Sequence, residues 1–403
     1  MPIFNCQWIK CGVIGEEEAR TRILENVAAW PQRTVSLAEA LGCFAAKDYF
    51  ARLPLPVFDN SAMDGYAVIA SECKRGRRLR VVGEQPAGPD RKLRILPGEA
   101  VRIFTGAALP IGADAVIMQE DVTREGEEIV AKADVDAGEF VRRRGCDLAE
   151  GQKILAKGEK IRAGTLGLLA SQGFSHVEVG SQAKAAIVST GDELVAPGVR
   201  IGPGQIYDSN SALLQGLLRS VGAAVESTEH CRDDRQGLRA AIERGIKNHL
   251  LIITGGVSVG EHDLVREALS ALGAQIDIWR VAVKPGKPFL FARLGDCAVF
   301  GLPGNPVSVF VTFLQFVRPA ILKMMGASSL LPAEFPARLA VNLTNEGERP
   351  HYVRGRLERG EFTPVGRQES HALFGLSQAN ALLRLAVGQS FRAGDIVRVQ
   401  VWD

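Results

Sequence analysis

The sequence predicts a multidomain chain of the α/β plus β class, and three observations predict it. Across 181–326 short apolar runs alternate with helical periods, the rhythm of a doubly wound, mostly parallel sheet. Across 52–147 the chain is rich in Pro, Gly and short alternating strands. That β-rich segment is inserted between two halves of a helical linker domain, 13–51 and 148–180. From 327 to 403 the pattern turns β again. A length of 403 residues fits two to four domains at about 150 residues each.

Each element follows from local signals. Glu16 to Trp30 sets Ala19, Ile23 and Val27 on one helical face, with Pro31 as its stop. Ser36-Leu37-Ala38-Glu39 reads as a capping box that opens a second helix to about Phe50. Leu79–Val82 and Ala115–Met118 read as strands, and Thr165–Ala170 as helix with Gly173 at its stop. Then come strand Ala185–Val188, helix Ser211–Ser220, strand Ala224–Val225 and helix Arg235–Lys247. Strand Leu250–Ile253, helix Leu264–Leu272, strand Cys297–Phe300 and a long helix Pro306–Met325 complete the α/β part. Ala337–Val341, Tyr352–Arg354 and Ile396–Val399 are the strands expected beyond it.

Composition narrows the function. With 46% hydrophobic and 23% charged residues the chain has ample material for cores. A net charge of +2 argues against a general nucleic-acid binder. Seven scattered cysteines without a Cys-x-x-Cys argue against a disulfide framework or structural zinc and fit a reducing cytoplasm. Met1–Gly15 lacks the apolar stretch of a signal peptide. The apolar run Val307–Val317 is interrupted by Gln315 and falls short of the ~20 residues that cross a bilayer, so no membrane partner is expected. The 43 glycines imply many turns or backbone brought close to a ligand.

Three loops of special composition follow strands of the α/β part: Thr190–Glu193, Thr254–Gly260 and Leu302–Pro306. Ligands of open α/β sheets bind outside the carboxyl ends of strands, where all three loops are expected. Asn305 and Pro306 suit an N-cap and N1, so Pro303-Gly304-Asn305-Pro306 reads equally as a capped turn or as an anion site on a helix end. Gly255 and Gly256 permit close approach to a phosphate or simply make a turn. Lys284-Pro285-Gly286-Lys287-Pro288 holds two cations in a stiff bend, either solvated or an oxyanion clamp. Asp192, Glu193, Asp208, Asp233, Asp234 and Asp263 are expected at the same edge. Each suits a helix cap, and together they suit Mg²⁺, which takes oxygen ligands and bridges carboxylate to phosphate. Asp59–Ala67 is dense in turn formers, and Arg142–Asp147 is a basic run that suits solvent or a polyanion.

Eight motifs follow one another along the chain, beginning with FDNSAMDGYAV (Phe58–Val68), RIFTGA (Arg102–Ala107), RRRGCD (Arg142–Asp147) and STGDEL (Ser189–Leu194). They continue with GQIYDSNS (Gly204–Ser211), TGGVSVGEHD (Thr254–Asp263), KPGKP (Lys284–Pro288) and GLPGNPVS (Gly301–Ser308). In this order the motifs resemble the MoeA-type molybdopterin molybdenumtransferases, a family related to plant and gephyrin E-domains. The resemblance implies a molybdopterin-binding α/β domain, a C-terminal β-barrel-like domain, and a homodimer whose cleft is shared between the α/β domain of one subunit and the inserted domain of the other. It implies Mg²⁺-dependent insertion of molybdate into adenylylated molybdopterin with release of AMP.

Carried over by motif, Asp64, Thr105 and Asp147 come from the inserted domain, and Glu193, Asp233 and Asp263 are the acids of the α/β cleft. Asp263 and Glu193 are the implied Mg²⁺ ligands. Gly255, Gly256 and Ser258 belong to the phosphate loop, and Pro303, Gly304 and Asn305 to the ligand loop. Lys284, Lys287, Pro288 and Ser308 match the molybdate site, with Arg354 and Ser370 as further matches. Arg280 stands where many relatives have Lys, and Cys146 where an acid is common. Partners implied are a molybdopterin adenylyltransferase and the molybdoenzymes that accept the product. The rival readings are the adenylyltransferase itself, an anchoring scaffold on the same fold, and a tungstate-using paralogue.

Overall fold

The computed structural model describes residues 12–256 and 264–402. They form two compact units: one from Asp48–Ala156 and Ala163–Ser175, the other from the described residues of Met1–Lys47, Lys157–Arg162 and His176–Asp403.

The larger unit opens with α1 (Glu16–Glu25), which buries Ala19 and Ile23 and carries Glu16, Glu17 and Glu18 where the helix dipole favours acids. It stops at Asn26, short of Trp30, because the Asn26 side chain donates back to Arg22 O at 3.0 Å and Trp30 N is drawn to Met324 O at 2.9 Å. The capping box forms, with Glu39 Oε2 accepting from Ser36 N at 3.2 Å and Ser36 Oγ at 2.7 Å. What it opens is one 3₁₀ turn, Leu37–Glu39, rather than a helix to Phe50. Gly42 at φ +80° turns the chain, and Ala45 and Ala46 donate to Glu159 O and Glu178 O at 2.9 Å each. Those distant partners outcompete helical bonds. Nearby, β1 (Gln32–Ser36) pairs antiparallel with the later segment His176–Gly180. The stretches expected to be helical are therefore mixed helix and strand.

The smaller unit is built on six strands: β2 (Gly65–Val68), β3 (Arg78–Gln85), β4 (Glu99–Ile103), β5 (Ala115–Met118), β6 (Val122–Glu125) and β7 (Glu128–Ala131). They lie in the order β5-β2-β4-β3-β7-β6 around Tyr66, Val68, Leu79, Ile117 and Ile129. The helix α2 (Ala163–Ser171) belongs to the same unit. Gly65 has no room for a side chain, since a Cβ there would sit 1.9 Å from Ile117 O on the neighbouring strand. Gly65→Ala must break the β2–β5 pairing and is expected to destabilise this unit by about 3 kcal/mol or more. Urea unfolding followed by far-UV circular dichroism measures it.

Returning to the larger unit, β8 (His176–Gly180) leads to β9 (Lys184–Thr190), α3 (Ser209–Ser220), β10 (Ala224–Cys231), α4 (Arg235–Gly245) and β11 (Leu250–Thr254). Then follow α5 (Leu264–Ala271), β12 (Gln275–Arg280), β13 (Pro288–Leu294) and β14 (Cys297–Leu302). The sheet order is β10-β9-β11-β14-β13-β12. The first four strands are parallel, and β13 and β12 add an antiparallel edge. Both faces are covered. Ile187, Leu250 and Ile252 pack with Leu214 and Leu218 of α3, while Val188, Leu251 and Ile253 pack with Leu238 of α4 and Leu269 of α5. That two-sided burial is why these strands read as continuous apolar runs.

The long helix is α6 (Pro306–Thr312), a π turn at Phe313–Val317, and α7 (Arg318–Met324). Pro319 has no N–H for Gln315 O, which instead accepts from Arg20 Nε at 3.3 Å, and the widened turn absorbs the mismatch. The span is long and apolar enough to cross a membrane, yet 89% of its apolar window is buried inside the fold. Beyond it β15 (Ala333–Leu339), β16 (His351–Glu358), β17 (Glu361–Pro364), β18 (Ala381–Leu385) and β19 (Ile396–Val401) close into a five-stranded barrel around Leu339, Val353, Phe362 and Val397.

Candidate active site

Strands β9, β11 and β14 are parallel neighbours, so their three Gly-rich loops emerge side by side at one sheet edge. The packing there is close. Gly255 has φ +86°, and a Cβ on it would meet Thr190 O at 2.2 Å. Only glycine lets the β11 turn press against the end of β9. Asn210 Nδ2 donates to Thr254 Oγ1 at 3.0 Å and to Gly304 O at 2.7 Å, and Thr254 Oγ1 donates on to Pro303 O at 3.1 Å.

The acids expected at this edge divide into two sets. Asp208 and Asp234 are helix caps: Asp208 accepts from Ser211 N, and Asp234 from Gln236 N and Gly237 N. Asp192, Glu193 and Asp233 remain exposed at the mouth of the β9 loop. Asp233 Oδ1 accepts from Thr190 Oγ1 at 2.6 Å, and Asp233 N donates to Asp192 Oδ1 at 3.4 Å. The Glu193 carboxylate folds back over Gly191, 2.6 Å from where a Cβ would stand. Among the described residues no three His, Cys, Asp or Glu side chains are already gathered as a metal cage. Asp263 and Ser258 lie outside the described residues.

Beside the edge lies a second cluster, built from cations. The KPGKP bend joins β12 to β13 and rests on α6: a Cβ on Gly286, at φ +120°, would meet Thr312 Cγ2 at 2.6 Å and Ser308 O at 3.8 Å. Its first lysine is stitched to the barrel, with Lys284 N donating to Pro350 O and Tyr352 N donating to Lys284 O, both at 2.8 Å. Lys284 itself is exposed, while Lys287 and Pro288 are half-buried and Ser308 is buried. Arg280, at the end of β12, is half-buried, and its carbonyl accepts from Ile14 N at 3.2 Å.

Arg354 on β16 is 0% exposed. Its Nη2 donates to Arg367 O and Glu369 O, but Nε and Nη1 are buried without a partner. Burial pushes its guanidinium below the ordinary arginine range. Nearby, burial first, and then the charges of Lys284, Arg354 and Arg349, push the His351 imidazole down to about 4. The corner is thus electropositive and holds two orphaned guanidinium donors, which suit a tetrahedral oxyanion. Asn305 occupies the N-cap position of α6 but does not cap with its side chain. Its Nδ2 donates to Ser370 Oγ at 2.9 Å, and Ser370 O accepts from Val307 N at 3.1 Å, so Ser370 supplies the cap.

The smaller unit brings its own motifs together. Val141–Arg142 pairs with Asn60–Ser61, Asp59 takes Arg143 Nη1 and Arg144 N at 2.7 Å each, and Gly106 N donates to Ser61 O at 2.8 Å. Asp64 Oδ1 accepts from Thr105 N and Thr105 Oγ1, both at 2.8 Å, and those bonds hold the Asp64 carboxyl below the usual range. Asp147 is exposed, its N donating to Leu55 O at 3.0 Å, and Cys146 is an exposed free thiol. Asp192 stands at this edge as expected, whereas the sequence alone did not single out Asn210 or Thr254, although both stand inside its motifs.

Three family models match the chain in order: MoeA N-terminal region (domain I and II) over 14–173, probable molybdopterin binding domain over 186–323, and MoeA C-terminal region (domain IV) over 336–402. The molybdopterin molybdenumtransferase of Haemophilus influenzae is 36% identical over 398 residues, covering 96% of this chain and 98% of that protein. The Nostoc protein of the same name is 37% identical over 372 residues, covering 89% and 85%. The crystal structure of a molybdopterin biosynthesis MoeA protein from Pyrococcus horikoshii superposes with a TM-score of 0.82 at 28% identity, covering 97% of this chain and all of that one.

Proposed function

The chain belongs to the MoeA family of molybdopterin molybdenumtransferases, enzymes of molybdenum cofactor biosynthesis, and we propose that it inserts molybdate into adenylylated molybdopterin with release of AMP, assisted by Mg²⁺. The observation that carries this reading is the buried Arg354 with its two unpartnered donors, on the strand whose Tyr352 N donates to Lys284 O of the KPGKP bend. A structure keeps a desolvated cation only where something compensates it, and a tetrahedral oxyanion does.

Molybdate sits in that corner, with Arg354, Lys284, Lys287, Ser308 and Ser370 as its donors. The Gly255–Gly256 turn, the Pro303–Asn305 loop and the α6 N-terminus receive the substrate phosphates through backbone N–H groups. Asp192, Glu193 and Asp233, with Asp263, offer the oxygen donors that suit Mg²⁺. Bound there, Mg²⁺ supplies charge compensation for the phosphate oxygen that leaves with AMP.

Asp64, Thr105 and Asp147 complete the cleft from a second copy of the chain. The exposed apolar side chains Val57 and Phe58, just before the Asp59–Asp64 turn, and Met63 within it support a face that is covered by a partner. A molybdopterin adenylyltransferase supplies the substrate, and molybdoenzymes accept the product. The free thiols of Cys43, Cys73, Cys146, Cys231 and Cys297 suit a reducing cytoplasm.

The test supplies purified protein with adenylylated molybdopterin, Mg²⁺ and molybdate and measures AMP. Molybdate-dependent release supports the reading. ATP-dependent formation of the adenylylated substrate instead would assign the protein to the preceding step, and neither activity would leave a scaffold.

A further inference from the structure

We infer that Asn210 and Thr254 form a latch that fixes the separation of the two phosphate-receiving loops and so act as positioning residues for the nucleotide end of the substrate. The inference rests on the function proposed above. The β11–β14 ladder ends with the pair Thr254 and Leu302. Past that point the Gly255–Gly256 turn and the Pro303–Asn305 loop leave the sheet, and no ladder bond sets how far apart they stand.

The latch replaces the ladder there. Asn210 is 9% exposed and Thr254 1%, so water does not compete for their bonds. The Asn210 amide spans the gap, one N–H to Thr254 Oγ1 at 3.0 Å and one to Gly304 O at 2.7 Å. The Thr254 hydroxyl in turn donates a hydrogen bond to Pro303 O at 3.1 Å. The amide orientation is forced, because Gly304 O can only accept. Asn210 is itself anchored: Asp208 locks the first turn of α3 through Ser211 N at 3.0 Å and Ser211 Oγ at 2.6 Å. The geometry costs something, since Asn210 Oδ1 is buried without a partner. A buried acceptor left unpaired disfavours folding, so its retention points to a role for the two N–H groups.

The chemistry recognised is a nucleoside monophosphate. AMP binding is measured by calorimetry on the intact protein for Asn210→Ala, Thr254→Val, Thr254→Ser and the Asn210→Ala/Thr254→Val pair, with thermal unfolding of each. Loss of one buried link should weaken AMP binding about tenfold in Asn210→Ala and in Thr254→Val. Thr254→Ser keeps the hydroxyl and should bind within about twofold of wild type. The pair should be no more than about twofold weaker than Asn210→Ala alone, because the two act in series. In turnover KM for the adenylylated substrate should rise with kcat nearly unchanged. Wild-type affinity in folded Asn210→Ala, or independent effects that multiply in the pair, overturns the latch. If the wild type binds no AMP at all, the functional reading fails and the latch's purpose goes with it.

Discussion

Arg354→Met should lose molybdate-dependent turnover by at least about a hundredfold while the protein stays as stable as wild type or becomes more so. The activity loss follows from two charge-assisted donors, each contributing ~1.5–3 kcal/mol to an oxyanion. The stability result has the opposite sign from most core substitutions. Arg354 is 0% exposed and burial disfavours its charge, so an apolar side chain of similar length removes a desolvated cation. The two carbonyls it bonds, Arg367 O and Glu369 O, belong to exposed residues, so losing this donor costs less than it would in the core. Arg354→Lys should not restore turnover, because a point charge cannot present the planar fork. The molybdate dependence of AMP release and urea unfolding of the same variants measure both halves. Normal turnover in Arg354→Met would show that the oxyanion does not bind in this corner.

Asp64→Asn should retain its fold and lose insertion by roughly a hundredfold to a thousandfold, a magnitude typical for removing one charge aimed at a reacting centre. Asn keeps the oxygen that accepts from Thr105 N and Thr105 Oγ1 at 2.8 Å, so the variant deletes charge and little else. Asp64 also tests the shared cleft. Subunits carrying Asp64→Asn, mixed and re-equilibrated with subunits carrying Lys284→Ala, form hybrids in which one of two clefts has both residues intact. Recovery to about a quarter of wild-type turnover is expected from that geometry. Mixtures as inactive as their components would place the whole site within one subunit.

The α/β sheet was legible because β9, β11 and β14 are buried on both faces and carry unbroken apolar runs. Its antiparallel edge was not: β12 mixes Gln275, Asp277 and Arg280 with apolar residues, and the KPGKP bend masks the start of β13. The capping box at Ser36 forms as its sequence implies but opens no long helix, since the partners of Ala45 and Ala46 are far away in sequence. The site motifs were legible as turns and charges. Their convergence at one edge followed from parallel topology, but the burial of Arg354 and the links through Asn210 depend on tertiary packing that no local signal encodes.

The corner between the KPGKP bend, α6 and β16 is the proposed seat of the tetrahedral oxyanion. Crystals soaked in molybdate or tungstate and measured at the metal's absorption edge test it directly. An anomalous peak is expected within hydrogen-bonding distance of Arg354 Nε or Nη1 and Lys284 Nζ, absent from Arg354→Met crystals. A peak elsewhere, or one that survives unchanged in Arg354→Met, would contradict it.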